Sequence, residues 1–554
     1  MHARTITTAL LGAALAVALP ASGNASTEND TDLAGTVAQR LSGDRSGACM
    51  AVAVIATDVS RARVCADPKQ VTRIGPNSAF EIGSISKTMT GTLLAELINA
   101  GKASLDDPLA DWLPEGAKVP SFDGQPILLR HIVTHTSGLP ALPPGVPLTD
   151  PNDPYAALTA QQLIDALAAV TLDEPPGTTL QYSNFAMMLL SHAITRRTGV
   201  DLETLLDERL FTPLQMDGAY IAKRPDGVRV ATGHRPGGQS VPPWNFPVDL
   251  AGVGGVHATL DDMVRYVQAQ LQPDGSALGK AIRLTHSQPD AANMPGQAIT
   301  WFIAPLNGSP VYLHEGGTGG FSSLVAFDPE KQRGVVILAD TAMTSLGGLG
   351  NMAMHLLDDQ IPLDAPRTVA RPDKKLLAAL TGTWQLEGGP QVELTQRKGK
   401  LHIHPAGQPE FELGHDSQGD FYPLDFDARL QPQRQPDGSY RFIWHQGGGA
   451  VAATRVEPSA PKPAPAMALD AAQLHEYVGT YPLMPGFDLS VTVKKDGLQA
   501  RATGQGAFPL DSLGDDSFEA PAYGIRINFQ RGADGKVRSL ELLQGGGTLR
   551  GERK

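Results

Sequence analysis

The chain has only two cysteines, Cys49 and Cys65, in 554 residues. That excludes a disulfide-dense scaffold and a cysteine-rich metal site. Basic residues are few as well: Lys and Arg number 45 against 58 Asp and Glu, for a net charge of −13, and they form no cluster. A nucleic-acid surface needs concentrated positive charge, so that class of partner is excluded. No Gly-rich loop follows a strand and opens a helix with a Lys, so no nucleotide cofactor is expected. No apolar run is long enough to span a bilayer. The run from Ile6 to Leu19 covers 14 residues, short of the roughly 20 a spanning helix needs.

That run follows His2 and Arg4 and leads into small residues, with cleavage sites after Gly23 or Ala25. It predicts a signal peptide over residues 1–25, the alternative being a buried N-terminal helix. No cysteine follows closely, so no lipoprotein anchor is expected. The expected product is periplasmic or secreted, without a stable membrane span. Export permits a disulfide. Cys49 and Cys65 flank "MAVAVIATDVSRARV", which reads as two strands around a turn near Asp58. They can face each other across that hairpin as a disulfide, or remain two buried thiols.

Hydrophobic residues make up 41% and charged residues 19%, as in globular proteins. At roughly 150 residues per domain, the length suggests two to four domains. Two Pro-rich stretches, Ile361 to Lys375 and Val456 to Asp470, read as linkers. They predict one long mixed unit over 30–365 and two smaller units over 376–456 and 471–554. The smaller units repeat each other. Gly382 and Gly479, Leu401 and Leu498, Phe411 and Phe508, Phe421 and Phe518, and Asp437 and Asp534 all stand 97 positions apart. Their short alternating segments break at Gly, Asp-Gly and Pro, which predicts a duplicated antiparallel barrel or sandwich. The histidines of "HIH" (His402 to His404) have no evident third ligand and read as ordinary strand residues. Trp384 and Tyr481 occupy matching positions and read as core.

Three stretches carry chemistry. In "FEIGSISKTMTG" (Phe80 to Gly91), Ser84 and Lys87 are spaced i, i+3, so a helix puts them on one face. Unpaired N–H groups at a helix N-terminus can stabilise an oxyanion, and burial there drives a lysine towards a neutral base. In "QYSNF", Tyr182 can relay a proton and Asn184 can hold a substrate amide. Taken alone, this stretch reads as a simple helix cap. In "VYLHEGGTGGF", a strand leads to His314, Glu315, Gly316 and Gly317, whose glycines let backbone approach a substrate. His131 and His135 share the i, i+4 spacing of zinc helices without the accompanying Glu, and read as structural. The Pro-rich run from Pro140 to Pro154 reads as a long loop beside the site.

In this order and spacing, the three stretches resemble the motifs of the serine β-lactamase and penicillin-binding protein superfamily, in its branch of class C β-lactamases, DD-peptidases, D-aminopeptidases and esterases. "IVTHTSGLP" and "GGVHATLDDMVRYVQ" are similar to further stretches of that family. The resemblance covers about residues 35 to 360, and the trailing barrels match the layout of some D-aminopeptidases. It implies an α+β fold: an antiparallel sheet flanked by helices, plus a helical subdomain, followed by two antiparallel β-barrels. It implies Ser84 as acylated nucleophile, with Lys87 and Tyr182 sharing the acid–base work. Asn184, His314, Gly316 and Gly317 then bind substrate, and the N–H groups of Ser84 and Gly317 form the oxyanion hole.

His314 departs from the family pattern, because many members carry a lysine there that favours a substrate carboxylate. Glu315 would repel a carboxylate if it faced the site, and would favour a free amine. Strand alternation can equally turn it away. The expected function is hydrolysis of D-amino-acid peptides or amides through an acyl-enzyme, with a small-molecule or peptide substrate and neither cofactor nor metal. The alternatives are a β-lactamase or carboxylesterase on the same site, and a non-catalytic cell-envelope binding module. A homo-oligomer is left open.

Overall fold

A computed structural model describes residues 30–554 apart from 147–149, 151, 291–294, 344–347, 388, 406–408, 425, 427, 447–448, 457–468, 485–486, 495–496, 504–506, 521–524, 533 and 545–546. The signal peptide expected over residues 1–25 lies outside the described residues. Among the described residues, no helix is long and apolar enough to cross a membrane.

A six-stranded antiparallel sheet organises the first part of the chain. Its order is Phe302–Leu306, Ser309–Gly317, Ser322–Asp328, Arg333–Ala339, Cys49–Ile55 and Val59–Cys65. The first strands in sequence thus complete a sheet whose other four strands lie between Phe302 and Ala339, with Val52 opposite Ile337. Ser322–Asp328 is buried along its whole length. Alternation along it feeds two cores. Val325 and Phe327 join Val336 and Leu338 in packing against the helical region, alongside Met89, Leu94 and Phe185. Leu324 and Ala326 join Val335 and Ile337 against the helices Thr31–Leu41 and Gly350–Leu357.

Two helices in the first core matter for the site. Ser86–Asn99 is buried at every position from Ser86 to Ala95, so it shows no polar stripe. Asn184–Thr198 is buried from Phe185 to Ser191. Ser183 caps it, its Oγ accepting the Ala186 N–H at 2.9 Å, and Gly199 ends it in the left-handed region at φ 70°. Cys49 and Cys65 stand opposite each other in the first hairpin and are disulfide-linked. In the chain-entropy account, closing such a loop contributes about 3 kcal/mol.

The C-terminal part is two eight-stranded β structures. The first is a closed antiparallel barrel from Gly382–Leu386 to Gly449–Arg455. The second runs in the same strand order from Gly479–Met484 to Gly547–Glu552 and is nearly closed. Their strands begin in register: Gly382 and Gly479, Lys400 and Gly497, Phe411 and Phe508, Ala428 and Ile525. Trp384 and Tyr481 are both fully buried, each at the heart of its own core. The first barrel is pinned to the sheet domain by buried charge, with Asp416 Oδ2 accepting from Arg45 Nε at 3.0 Å and from Arg367 Nη1 at 3.2 Å.

Candidate active site

Gly83 takes φ 51° and turns the chain from the short strand Ser78–Glu81 into Ser86–Asn99. A Cβ there would stand 2.7 Å from the Gly317 nitrogen, so glycine is needed for the close approach of strand Ser309–Gly317. Side chains fix the turn. Ser86 Oγ donates to Gly83 O at 2.8 Å and accepts from Val256 N, and Ser323 Oγ donates to Ile82 O at 2.7 Å. Ser84, at the turn's apex, stays partly exposed while both neighbours are buried.

Lys87 is fully buried one turn on. Its Nζ donates to Ser84 Oγ at 2.8 Å and to Val253 O at 2.7 Å. Burial holds its pKa well below that of an ordinary lysine, favouring the neutral amine. The Val253 carbonyl is itself positioned: Thr90 Oγ1 donates to Gly252 O, and Ser191 Oγ donates to Asp249 O.

Tyr182 brings its hydroxyl beside Ser84, and its ring lies 5.0 Å from Lys87 Nζ. Burial pushes the phenol up, so it keeps its proton. Asn184 opens the next helix and lines the Ser84 cleft together with Gly317. Gly316 packs so tightly that a Cβ would fall 2.0 Å from Ile82 O. His314 lies in the same strand and is fully buried. Its Nδ1 bonds to Glu315 O at 2.7 Å, and its Nε2 is unpartnered. Burial pushes it down to about 3, so it is a neutral imidazole.

Glu315 does not face the site. It pairs with Leu324, on the opposite face of the sheet from His314 and Val325. Its carboxylate lies against Gly348 and Gly350. Glu315 therefore has no direct contact through which to select a substrate amine.

Four side chains at the cleft were not legible in the motifs. Tyr155, Trp244, Phe246 and Thr318 line it with Ser84. The Tyr155 ring stacks on Phe246 at 4.9 Å and meets Trp244 edge-on at 5.3 Å. Among the described residues that line this cleft there is no Lys or Arg. "PPWNFP", with two aromatics among prolines, was the available signal. His135 was also misplaced by its spacing. The helix ends at Val133, and His135 sits at φ 56° with its ring 4.2 Å from Tyr182. It is a neighbour of the site and shares no helical face with His131.

The chain is similar to known proteins over its first part. Residues 33–357 match the family described as Beta-lactamase, and residues 463–552 match a domain of unknown function, DUF3471. The D-alanyl-D-alanine-carboxypeptidase/endopeptidase AmpH of Escherichia coli K12 is 31% identical over 277 residues, 47% of this chain and 71% of that one. Penicillin-binding protein 4 of Amycolatopsis lactamdurans is 27% identical over 56% of this chain and 86% of its own. The crystal structure of a β-lactamase/D-alanine carboxypeptidase from Yersinia pestis aligns with TM-score 0.49 and 26% identity, over 59% of this chain and 100% of that one.

Proposed function

This chain belongs to the β-lactamase family and is a serine hydrolase working through an acyl-enzyme, and on that premise we propose that it is an exported enzyme cleaving D-amino-acid peptide or amide bonds at Ser84. The observation that carries this is the contact of Ser84 Oγ with Lys87 Nζ at 2.8 Å, inside a site that strips the lysine of its charge. Opposed environments separate the acid–base roles. Lys87, pushed down, takes the Ser84 proton as Oγ attacks the carbonyl carbon. Tyr182, pushed up, stays protonated and relays a proton to the departing nitrogen as the C–N bond breaks. The N–H groups of Ser84 and Gly317 stabilise the oxyanion, and Asn184 holds the substrate amide. Water then cleaves the ester on Ser84.

A named D-alanyl-D-alanine carboxypeptidase among the relatives supports the substrate class. Neutral His314 and the absence of Lys and Arg among the described cleft residues favour substrates without a carboxylate at the leaving side, so D-amino-acid amides rank above peptides ending in D-alanine. The same two facts favour ester hydrolysis as the second reading, ahead of β-lactam turnover. The test is turnover of a D-amino-acid amide, a D-alanyl-D-alanine peptide and a short neutral ester, with Ser84→Ala as control. The amide is expected to be cleaved fastest, and all three activities to vanish in Ser84→Ala. Exclusive cleavage of the peptide contradicts the ranking of amides above peptides, and full activity in Ser84→Ala contradicts the reading itself.

A further inference from the structure

Glu81 sits three residues before Ser84 and takes no part in the chemistry above. It is 4% exposed. Its Oε1 accepts the Trp244 N–H at 3.1 Å, while Oε2 and the buried Thr318 hydroxyl are both unpartnered. Trp244 and Thr318 both line the Ser84 cleft. The next residue, Asn245, is held in the same way, its N–H donating to Asp153 Oδ1 at 2.8 Å. Two carboxylates thus grip consecutive N–H groups of the "PPWNFP" loop. The indole they position has room only because residue 319 is glycine, where a Cβ would stand 2.6 Å from Trp244 Nε1.

We propose that Glu81 is a positioning residue that holds the Trp244 wall of the cleft through its carboxylate, and so selects substrates with a large apolar or aromatic acyl group. The inference rests on the Ser84 cleft being the substrate site. A carboxylate accepts more strongly than a carboxylic acid, so the wall is firm when Glu81 is charged and loose when it is protonated. Burial, reinforced by Asp153, raises Glu81 to about 7, against the opposing pull of the Trp244 N–H. The other titratable groups facing it leave it as the switching group. His257, opposite Glu81 across the strand pair, is held neutral by burial at about 4, and Tyr220, stacked on His257, keeps its proton.

Tryptophan fluorescence of the full chain tests this without reference to turnover. A transition with midpoint near 7 is expected in the wild type and is lost in both Glu81→Gln and Trp244→Phe. In parallel, KM for an aryl-acyl ester should rise on the order of tenfold between about pH 8 and pH 6, following the ionised fraction of one carboxyl, while KM for p-nitrophenyl acetate stays flat. Glu81→Gln should remove that pH dependence. A fluorescence transition that persists in Glu81→Gln, or no transition in the wild type, overturns the proposal. If the fluorescence behaves as expected and neither these esters nor a D-amino-acid amide is cleaved at Ser84, the Glu81 grip on Trp244 stands and the substrate-site reading fails.

Discussion

Lys87 is the residue whose burial most needs a reason. A fully buried amine with no acidic partner is a burden on folding, tolerated where its lowered pKa has a use. The burden has a definite pH sign. The folded-state pKa lies below the unfolded one, so between the two the unfolded chain binds the extra proton and folding releases it. Stability then rises with pH. Urea unfolding of wild type and Lys87→Met at about pH 6 and pH 9 reads this directly. The wild type should gain stability relative to the variant as pH rises, while the variant loses activity on the order of a thousandfold or more. A stability difference that does not change with pH would mean that Lys87 is not held neutral. Ser84 and Lys87 were legible because their partnership is local, spanning one helical turn. Tyr155, Trp244 and Phe246 were not, because only tertiary packing brings segments almost a hundred residues apart onto one serine.

Among the elements, the contact between the Gly83 turn and strand Ser309–Gly317 sets the geometry of the cleft. Both partners are glycine at the touching points because no side chain fits between the backbones. Gly316→Ala places a methyl 2.0 Å from Ile82 O, against backbone that cannot yield cheaply. The strand must shift, at about 1–3 kcal/mol of stability. The same shift moves the Gly317 N–H away from Ser84, and misplacement by about 1 Å costs on the order of a hundredfold in rate. Thermal unfolding together with kcat/KM checks both effects; a variant with native activity would contradict the assigned contact. The elements themselves were partly readable. The 97-residue repeat declared the duplicated β structures, since identical spacing survives sequence drift. The face occupied by Glu315 was not readable, because alternation gives opposite sides without saying which is the site.

At the scale of the molecule, the first barrel is joined to the sheet domain by charge that is out of water. Arg45 and Asp416 are almost fully buried, Arg367 bridges Asp416 and Asp420, and the Arg45 guanidinium lies 3.5 Å above the Tyr422 ring. Removing one member of such a set leaves an uncompensated buried charge, at about 3–5 kcal/mol. Asp416→Ala should therefore release the first barrel, seen as faster proteolysis within 361–373, whereas the exposed pair Arg397–Glu410 can be broken with less than about 1 kcal/mol of change. Unaltered proteolysis in Asp416→Ala would show that the docking does not depend on this cluster. No local pattern announced it, because Arg45 and Asp416 lie 371 residues apart.

A covalent bond to Ser84 is the central event of the proposed chemistry. The most direct measurement is the intact mass of the full chain after exposure to an alkyl fluorophosphonate, followed by peptide mapping, in wild type and Ser84→Ala. A single adduct on the peptide carrying Ser84, absent from Ser84→Ala and slowed in Lys87→Met, is the predicted result. No adduct on the folded wild type, or an adduct that persists in Ser84→Ala, would contradict it.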